Sequence, residues 1–232
     1  MVRPPFVPFG VAHLAALAVT VAAPLLLAAL VRLYRLRLDR VARLFFAVLL
    51  AAGWIWWLIL FAQRGLLSIG NALPLNLCDW ALAALIAALL TRNQIAYELG
   101  YFWGLGGTLQ AVITPDLPYG FPDPQFLFFF GEHGGVIAAL LYLTLGTGLR
   151  PRPSSLARVA AVTLFYALVA GIADWLLGTN YAYLRAKPPG TTLLSFMSPW
   201  PWYIPELMAA AAVSLMIYYL PFAVLDWSRR NR

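Results

Sequence analysis

Runs of about 20 apolar residues recur from one end of the chain to the other, each long enough to cross a hydrocarbon core of roughly 30 Å. Short connectors separate them, so little chain remains for a water-soluble domain. Inside a bilayer a segment has no water to satisfy its backbone, and an apolar run of this length satisfies itself as a helix. The expectation is an all-α, polytopic membrane bundle of about seven transmembrane helices, forming a single integral membrane domain over residues 1–232. Composition agrees, with 62% hydrophobic residues, 11% charged residues and a mean hydropathy of +0.79, a balance foreign to soluble domains. The expected spans are Phe9–Leu33, Val41–Phe61, Pro74–Leu90, Gln94–Ile113, Phe126–Leu145, Leu156–Leu177 and Trp202–Leu220. The first run exceeds a signal-peptide core and only Arg3 precedes it, so it is read as a span.

The net charge of +7 does not point to nucleic acid, because the basic residues are mostly Arg collected in short connectors. That is how membrane orientation is encoded, and contact with anionic headgroups is its usual consequence. Twelve of the sixteen basic residues fall on one side: Arg32, Arg35, Arg37, Arg40, Arg43, Arg92, Arg150, Arg152, Arg158, Arg229, Arg230 and Arg232. Arg3, Arg64, Arg185 and Lys187 fall on the other. The split predicts an outer amino terminus and a cytoplasmic carboxyl terminus. The single cysteine forms no internal disulfide and says nothing of redox compartment.

With that orientation, polar residues gather at the outer ends of the helices. Cys78 lies about four residues below Pro74, roughly 6 Å deep, and His133 about seven below Phe126, roughly 10 Å. Asn76, Asp79, Gln110, Glu132, Asp174, Asn180, Tyr181 and Glu206 lie near the same level. Ionisable groups in a membrane are expensive and face a cavity or a partner. Taken singly, a cysteine here reads as a small hydrophobe and a histidine as an interhelical hydrogen-bonder. Their coincidence at one depth among carboxylates favours a site: a cavity opening to the outer leaflet, lined by Cys78, His133, Asp79, Gln110, Asp174 and Glu206.

The chemistry suits a nucleophile. Pro74 is a favourable first helical residue, which puts Cys78 near a helix amino terminus whose partial positive charge favours a thiolate. An imidazole would activate the thiol and a carboxylate would orient the imidazole, with Asp79, Glu132 and Asp174 as candidates. In 100-GYFWGLGG-107 no strand precedes the glycines, so Gly100, Gly104 and Gly107 read as a helix-packing face rather than a phosphate loop. The segment 198-SPWPWYIPE-206 reads as an interfacial aromatic belt, with Trp200 and Tyr203 walling a lipid-binding mouth as the alternative. No zinc-ligand spacing is present, so neither metal nor cofactor is expected.

The run 74-PLNLCDWALAALIAALLTRNQIAYELGYFWGLGGTLQAVITPDL-117 resembles the YwaF-type bacterial integral membrane proteins, as do 128-FFFGEHGGVIAALLY-142, 179-TNYAYLRAKP-188 and 199-PWPWY-203. The resemblance covers roughly residues 71–220. These proteins are similar to vertebrate transmembrane protein 164, an acyltransferase that uses a cysteine and a histidine to build polyunsaturated ether phospholipids. The cysteine of the Leu-Cys-Asp motif matches Cys78, and the histidine before the Gly-Gly pair matches His133. Members often carry His where this chain has Asn76, and Ser where it has Glu132. The resemblance implies a multi-pass protein of a bacterial inner or plasma membrane, with phospholipids and lysophospholipids as partners.

Three functions fit these residues. A phospholipid acyltransferase would use Cys78 as nucleophile and His133 as base, with Asn76, Gln110 or backbone N–H groups as oxyanion donors. A lipid hydrolase or thioesterase would use the same site with water as acceptor. A seven-helix transporter or lipid-binding receptor would use the carboxylates as relays and leave Cys78 structural. A scaffold without a small-molecule site is the blandest reading, and the polar cluster argues against it.

Overall fold

A computed structural model describes residues 4–34, 37–188 and 192–230. Arg3, Arg35 and Arg232 of the charge pattern lie outside the described residues. The chain is 76% helix with no strand among the described residues; its one β-bridge joins Pro5 and Tyr119. The helices are α1 Val11–Tyr34, α2 Arg37–Gln63, α3 Ile69–Ala72, α4 Leu77–Thr91, α5 Gln94–Trp103, α6 Leu109–Ile113, α7 Pro124–Phe129, α8 Gly135–Leu145, α9 Ser155–Leu177 and α10 Tyr203–Arg230. A π-helical turn, Gly104–Thr108, joins α5 to α6, and a second, Phe130–Gly134, joins α7 to α8. Both joined pairs are therefore continuous spans.

Six segments are long and apolar enough to cross a membrane: Val11–Tyr34, Leu38–Gln63, Ile69–Thr91, Pro124–Leu145, Ser155–Leu177 and Tyr203–Ser228. The α5–α6 helix is the seventh expected span and the most polar, carrying Gln94, Glu98, Thr108 and Gln110. The third span differs most from expectation. Pro74 does not open it; α3 comes first, and α4 begins at Leu77. The reason is capping: the Asn76 backbone N–H donates to Asp79 Oδ2 at 2.9 Å, which closes the first turn three residues past Pro74. The second span begins earlier than expected, so Arg40 and Arg43 lie in its first turns.

Contacts divide the chain into two compact units, Met1–Leu66 with Trp80–Arg150, and Leu67–Asp79 with Pro151–Arg232. In the first unit α8 is the central helix. Helix α1 packs along it, and α2 and α5 pack against it as well. Of the most apolar stretch of Pro124–Leu145, 72% is buried, against 28% or less in the other five spans. The sequence explains this: GVIAALLYLTL has no charge and is small at several positions, so neighbours approach on every side. Gly100 and Gly104 of the α5–α6 helix pack as expected. A Cβ on Gly100 would sit 2.6 Å from Leu85 Cγ, and one on Gly104 would lie 3.5 Å from Val136. At one end of this unit the Arg43 guanidinium binds Asp39 Oδ2 at 3.0 Å and the Leu89 carbonyl, while Tyr142 donates its hydroxyl to Asp39 Oδ1 at 2.8 Å.

The second unit holds α3, α9 and α10, with α9 packed on α10. Ser155, Val159, Tyr166, Ala170 and Asp174 are the buried residues of α9, spaced by fours and a seven as one helical face requires. Gly178, at φ +68°, ends the helix in a left-handed conformation that costs glycine little. The outward faces of α1, α2, α9 and α10 carry exposed Leu, Val, Ile, Phe and Trp, as a lipid-facing surface does.

Candidate functional site

Cys78 is the second residue of α4, three places nearer the helix amino terminus than the Pro74 start predicts. It is half-buried. Here the backbone N–H groups of the first turn point back along the helix. Asp79 follows it, and its carboxylate accepts from the Asn76 backbone at 2.9 Å and from the Asn76 side chain. Asp79, one of three candidate imidazole orienters, and Asn76, one of the candidate oxyanion donors, thus both take part in the helix cap.

Tyr166 of α9 was absent from the expected set. Its hydroxyl donates to the Leu75 carbonyl at 2.9 Å and lies in electrostatic reach of Cys78, Asp79 and Asp174. The signal was present in the sequence as the shared spacing of Tyr166, Ala170 and Asp174, which sets them on one buried stripe. Asp174 is fully buried. Its Oδ1 accepts from Thr179 Oγ1 and from the Tyr181 N–H, both at 2.7 Å, while Oδ2 has no hydrogen-bond partner among the protein atoms. Within the second unit Cys78, Asp79 and Asp174 therefore all lie within electrostatic reach of Tyr166.

The loop after α9 is organised by the other expected residues. Arg185 donates to the Asp174 and Thr179 carbonyls at 2.9 and 3.4 Å, and Asn180 Oδ1 accepts from the Arg185 and Ala186 N–H groups at 2.9 and 3.0 Å. Tyr181 donates its hydroxyl to the Ile69 carbonyl at 2.5 Å and accepts from the Leu73 N–H at 3.1 Å, which ties α3 to this loop. Burial pushes the Tyr181 phenol above its ordinary pKa, so the donor keeps its proton. Glu206 does not join the buried cluster: it is exposed and accepts from the Ser198 hydroxyl and N–H at 2.5 and 3.0 Å. Tyr203 is buried and donates to the Tyr183 carbonyl, whereas Trp200 is 59% exposed and donates its indole N–H to the Leu184 carbonyl at 3.1 Å.

His133 and Glu132 belong to the first unit and stand in the π turn Phe130–Gly134. Such turns widen a helix and recur at functional positions. The imidazole stacks on Phe129, with ring centroids 4.3 Å apart and planes at 11°. Its Nδ1 is buried with no close hydrogen-bond partner, and the Phe129 backbone lies within reach of the ring. Glu132 is buried beneath Gly53, where an added Cβ would meet its Cβ at 3.7 Å. Gln110 is exposed. Among the described residues no group of three or more His, Cys, Asp or Glu is placed to hold a metal ion.

No solved structure matches this chain. An uncharacterized protein of Treponema pallidum (strain Nichols) is 32% identical over 175 residues, covering 71% of each chain. The model of the TMEM164 family matches residues 8–219, a stretch that includes both Cys78 and His133. The chain is a multi-pass membrane protein that belongs to the TMEM164 family.

Proposed function

We propose that this protein is a phospholipid acyltransferase of a bacterial cell membrane, working through an acyl-thioester on Cys78. The observation that carries the reading is the position of Cys78, the chain's one thiol, in the first turn of a 15-residue helix. Family membership supports it, since the resemblance to vertebrate transmembrane protein 164 assigns the nucleophile and base to the residues matching Cys78 and His133.

In the first half-reaction His133 takes the thiol proton and the thiolate adds to an acyl ester carbonyl of a donor phospholipid. The tetrahedral oxyanion collapses, the C–O bond breaks, and the departing lysophospholipid alkoxide recovers the proton from the imidazolium. In the second half His133 takes the proton of an acceptor lysophospholipid hydroxyl. Its oxygen attacks the thioester, and the thiolate leaves and is reprotonated. With water as acceptor the same steps give a hydrolase. The positive-inside split puts this chemistry at the outer leaflet, with the first connector cytoplasmic.

The test is transfer of a labelled acyl chain from diacyl donor to lyso acceptor in reconstituted vesicles. Cys78→Ala and His133→Ala are each expected to abolish exchange, with the double variant no slower, because nucleophile and base act as one unit. Cys78→Ser should lose most activity at nearly unchanged shape, a hydroxyl being far less acidic than a thiol. Native exchange rates in Cys78→Ala would sink the acyl-enzyme reading and leave a transporter or lipid receptor in its place.

A further inference from the structure

We propose that the groove between the start of α9 and the carboxyl end of α10 binds the headgroup of a zwitterionic phospholipid, whose quaternary ammonium is held by Asp226 and the rings of Tyr219 and Trp227. The site lies wholly within the second unit and needs neither Cys78 nor His133. Asp174 stands roughly 28 Å farther along α9 from Ser155, at 1.5 Å per residue. The groove is therefore a hydrocarbon thickness away from the cluster around Tyr166.

The sequence of α10 makes the groove. Tyr219, Ala223 and Trp227 follow one another by fours, so they stand on one face of the helix, and Asp226, three past Ala223, borders that face. Ala223 offers one methyl group between two large rings, which leaves a notch. Pro153 closes the notch from the turn before α9. That turn is fixed: the Arg152 N–H donates to Ser155 Oγ at 2.7 Å, and Ser155 is fully buried. The resulting cavity is about 270 Å³, lined among the described residues by Pro153, Tyr219, Ala223, Asp226 and Trp227. Such a volume is small for a ligand pocket and suits a headgroup rather than a whole lipid.

Charge and depth select the occupant. Asp226 is the charged residue of that lining, beside a Tyr and a Trp whose indole is 68% exposed and open to a ligand. A carboxylate next to aromatic rings recognises a quaternary ammonium, because the rings attract the cation while its methyl groups rest on apolar surface. The anionic half of a zwitterion also finds a partner. Arg158 donates to Ser154 Oγ at 3.4 Å, and Ser154 follows Pro153, so a guanidinium stands beside the groove's wall. A phosphate joined to the ammonium by a short linker would meet it. An anionic headgroup without an amine would gain Arg158 but set its phosphate near Asp226, where like charges repel. The aspartate therefore selects against the anionic lipids that arginine-rich connectors alone would favour. The last span ends at Ser228, which puts Asp226 and Trp227 at headgroup level, where Trp rings favour the interface.

The test is ¹⁹F NMR of the full chain carrying fluorotryptophan in neutral maltoside micelles, with the Trp227 resonance assigned by its loss in Trp227→Phe. Titration with a short-chain phosphatidylcholine should move that resonance saturably, and a phosphatidylglycerol of the same chain length should not. Asp226→Asn keeps the shape, removes the charge and should erase the preference. Tyr219→Leu should weaken phosphatidylcholine binding about two- to fivefold, the usual worth of an exposed cation–π contact. Ala223→Leu fills the notch and should abolish saturation, whereas Val224→Leu, at an exposed position beside it, should change nothing. An equal response to both lipids, no saturable shift, or an unaltered preference in Asp226→Asn would each overturn the proposal. So would a Trp227 resonance that moves with protein concentration instead of lipid, since a second copy of the chain would then fill the groove. The selectivity of the native protein decides even where a variant does not fold.

Discussion

The two histidines occupy one unit and sit in opposite circumstances. His13 is enclosed by Phe6, Phe9 and Phe130, with ring centroids 5.3, 5.3 and 5.4 Å away, and both its nitrogens are bonded to backbone groups. Its Nε2 reaches the Val112 carbonyl near the end of α6, so the ring braces the start of α1 against another helix. His133 is stacked on one phenyl ring and has a buried nitrogen with no protein partner. A satisfied polar group in an apolar bundle is a brace, and each unsatisfied one asks for an explanation in function.

The largest effects should separate these two rings. His133→Ala should lower acyl exchange by about 10²–10⁴-fold, the usual worth of a general base, with little change in thermal unfolding. His13→Ala should do the reverse. It strands the Phe9 N–H and the Val112 carbonyl, which costs about 1–3 kcal/mol for a buried unsatisfied group, and exchange measured below the unfolding temperature should persist. Loss of exchange in His13→Ala at intact fold would erase the distinction between brace and base.

The same contrast can be pushed in the second unit at Asp174, whose two oxygens differ as the two histidines do. Asp174→Ala removes the acceptor of Thr179 Oγ1 and the Tyr181 N–H. With two buried donors stranded, the cost should be about 3 kcal/mol in detergent unfolding experiments. Asp174→Asn keeps an acceptor for both and should recover most of it. Equal damage from both variants would mean that the negative charge, rather than Oδ1, carries the role.

Gly134 and Gly104 sharpen the comparison on the His133 side. A methyl on Gly134 would stand 2.6 Å from Thr20 Oγ1, so Gly134→Ala must turn the Thr20 side chain or push α1 aside. Overpacking of this kind costs about 1–3 kcal/mol. Gly104→Ala meets Val136 and Leu140 at 3.5 and 3.7 Å, ordinary contact distances, and should be nearly neutral. Thermal unfolding of the two variants side by side checks both.

What could be read in the sequence follows the same physics. Long apolar runs need no partner to declare themselves, so six apolar spans, the α5–α6 helix and the packing role of Gly100 and Gly104 were legible. The π turns were not, since one extra residue in a turn leaves no mark on apolar periodicity. Tyr166 was missed because a tyrosine near a helix middle looks like core until its hydroxyl is seen on the Leu75 carbonyl. Asp79 reads as one of three candidate imidazole orienters because a carboxylate beside a cysteine suggests chemistry. The same residue three places after Asn76 also suggests a cap, and the hydrogen bond at 2.9 Å goes there.

That assignment yields the smallest and most discriminating effect. As a cap, Asp79 needs only one acceptor oxygen for the Asn76 N–H, so Asp79→Asn should leave stability and acyl exchange close to native. Asp79→Ala loses the acceptor and should cost about 1 kcal/mol, the usual worth of a helix-terminal side chain. Its exchange rate should follow the folded fraction. An orienter of imidazolium behaves differently: it needs the negative charge, so Asp79→Asn would cut exchange steeply at unchanged stability. The two outcomes part on the asparagine variant alone. Measuring its exchange rate and its unfolding temperature together decides whether Asp79 belongs with the satisfied groups, as His13 does, or with the unspent ones.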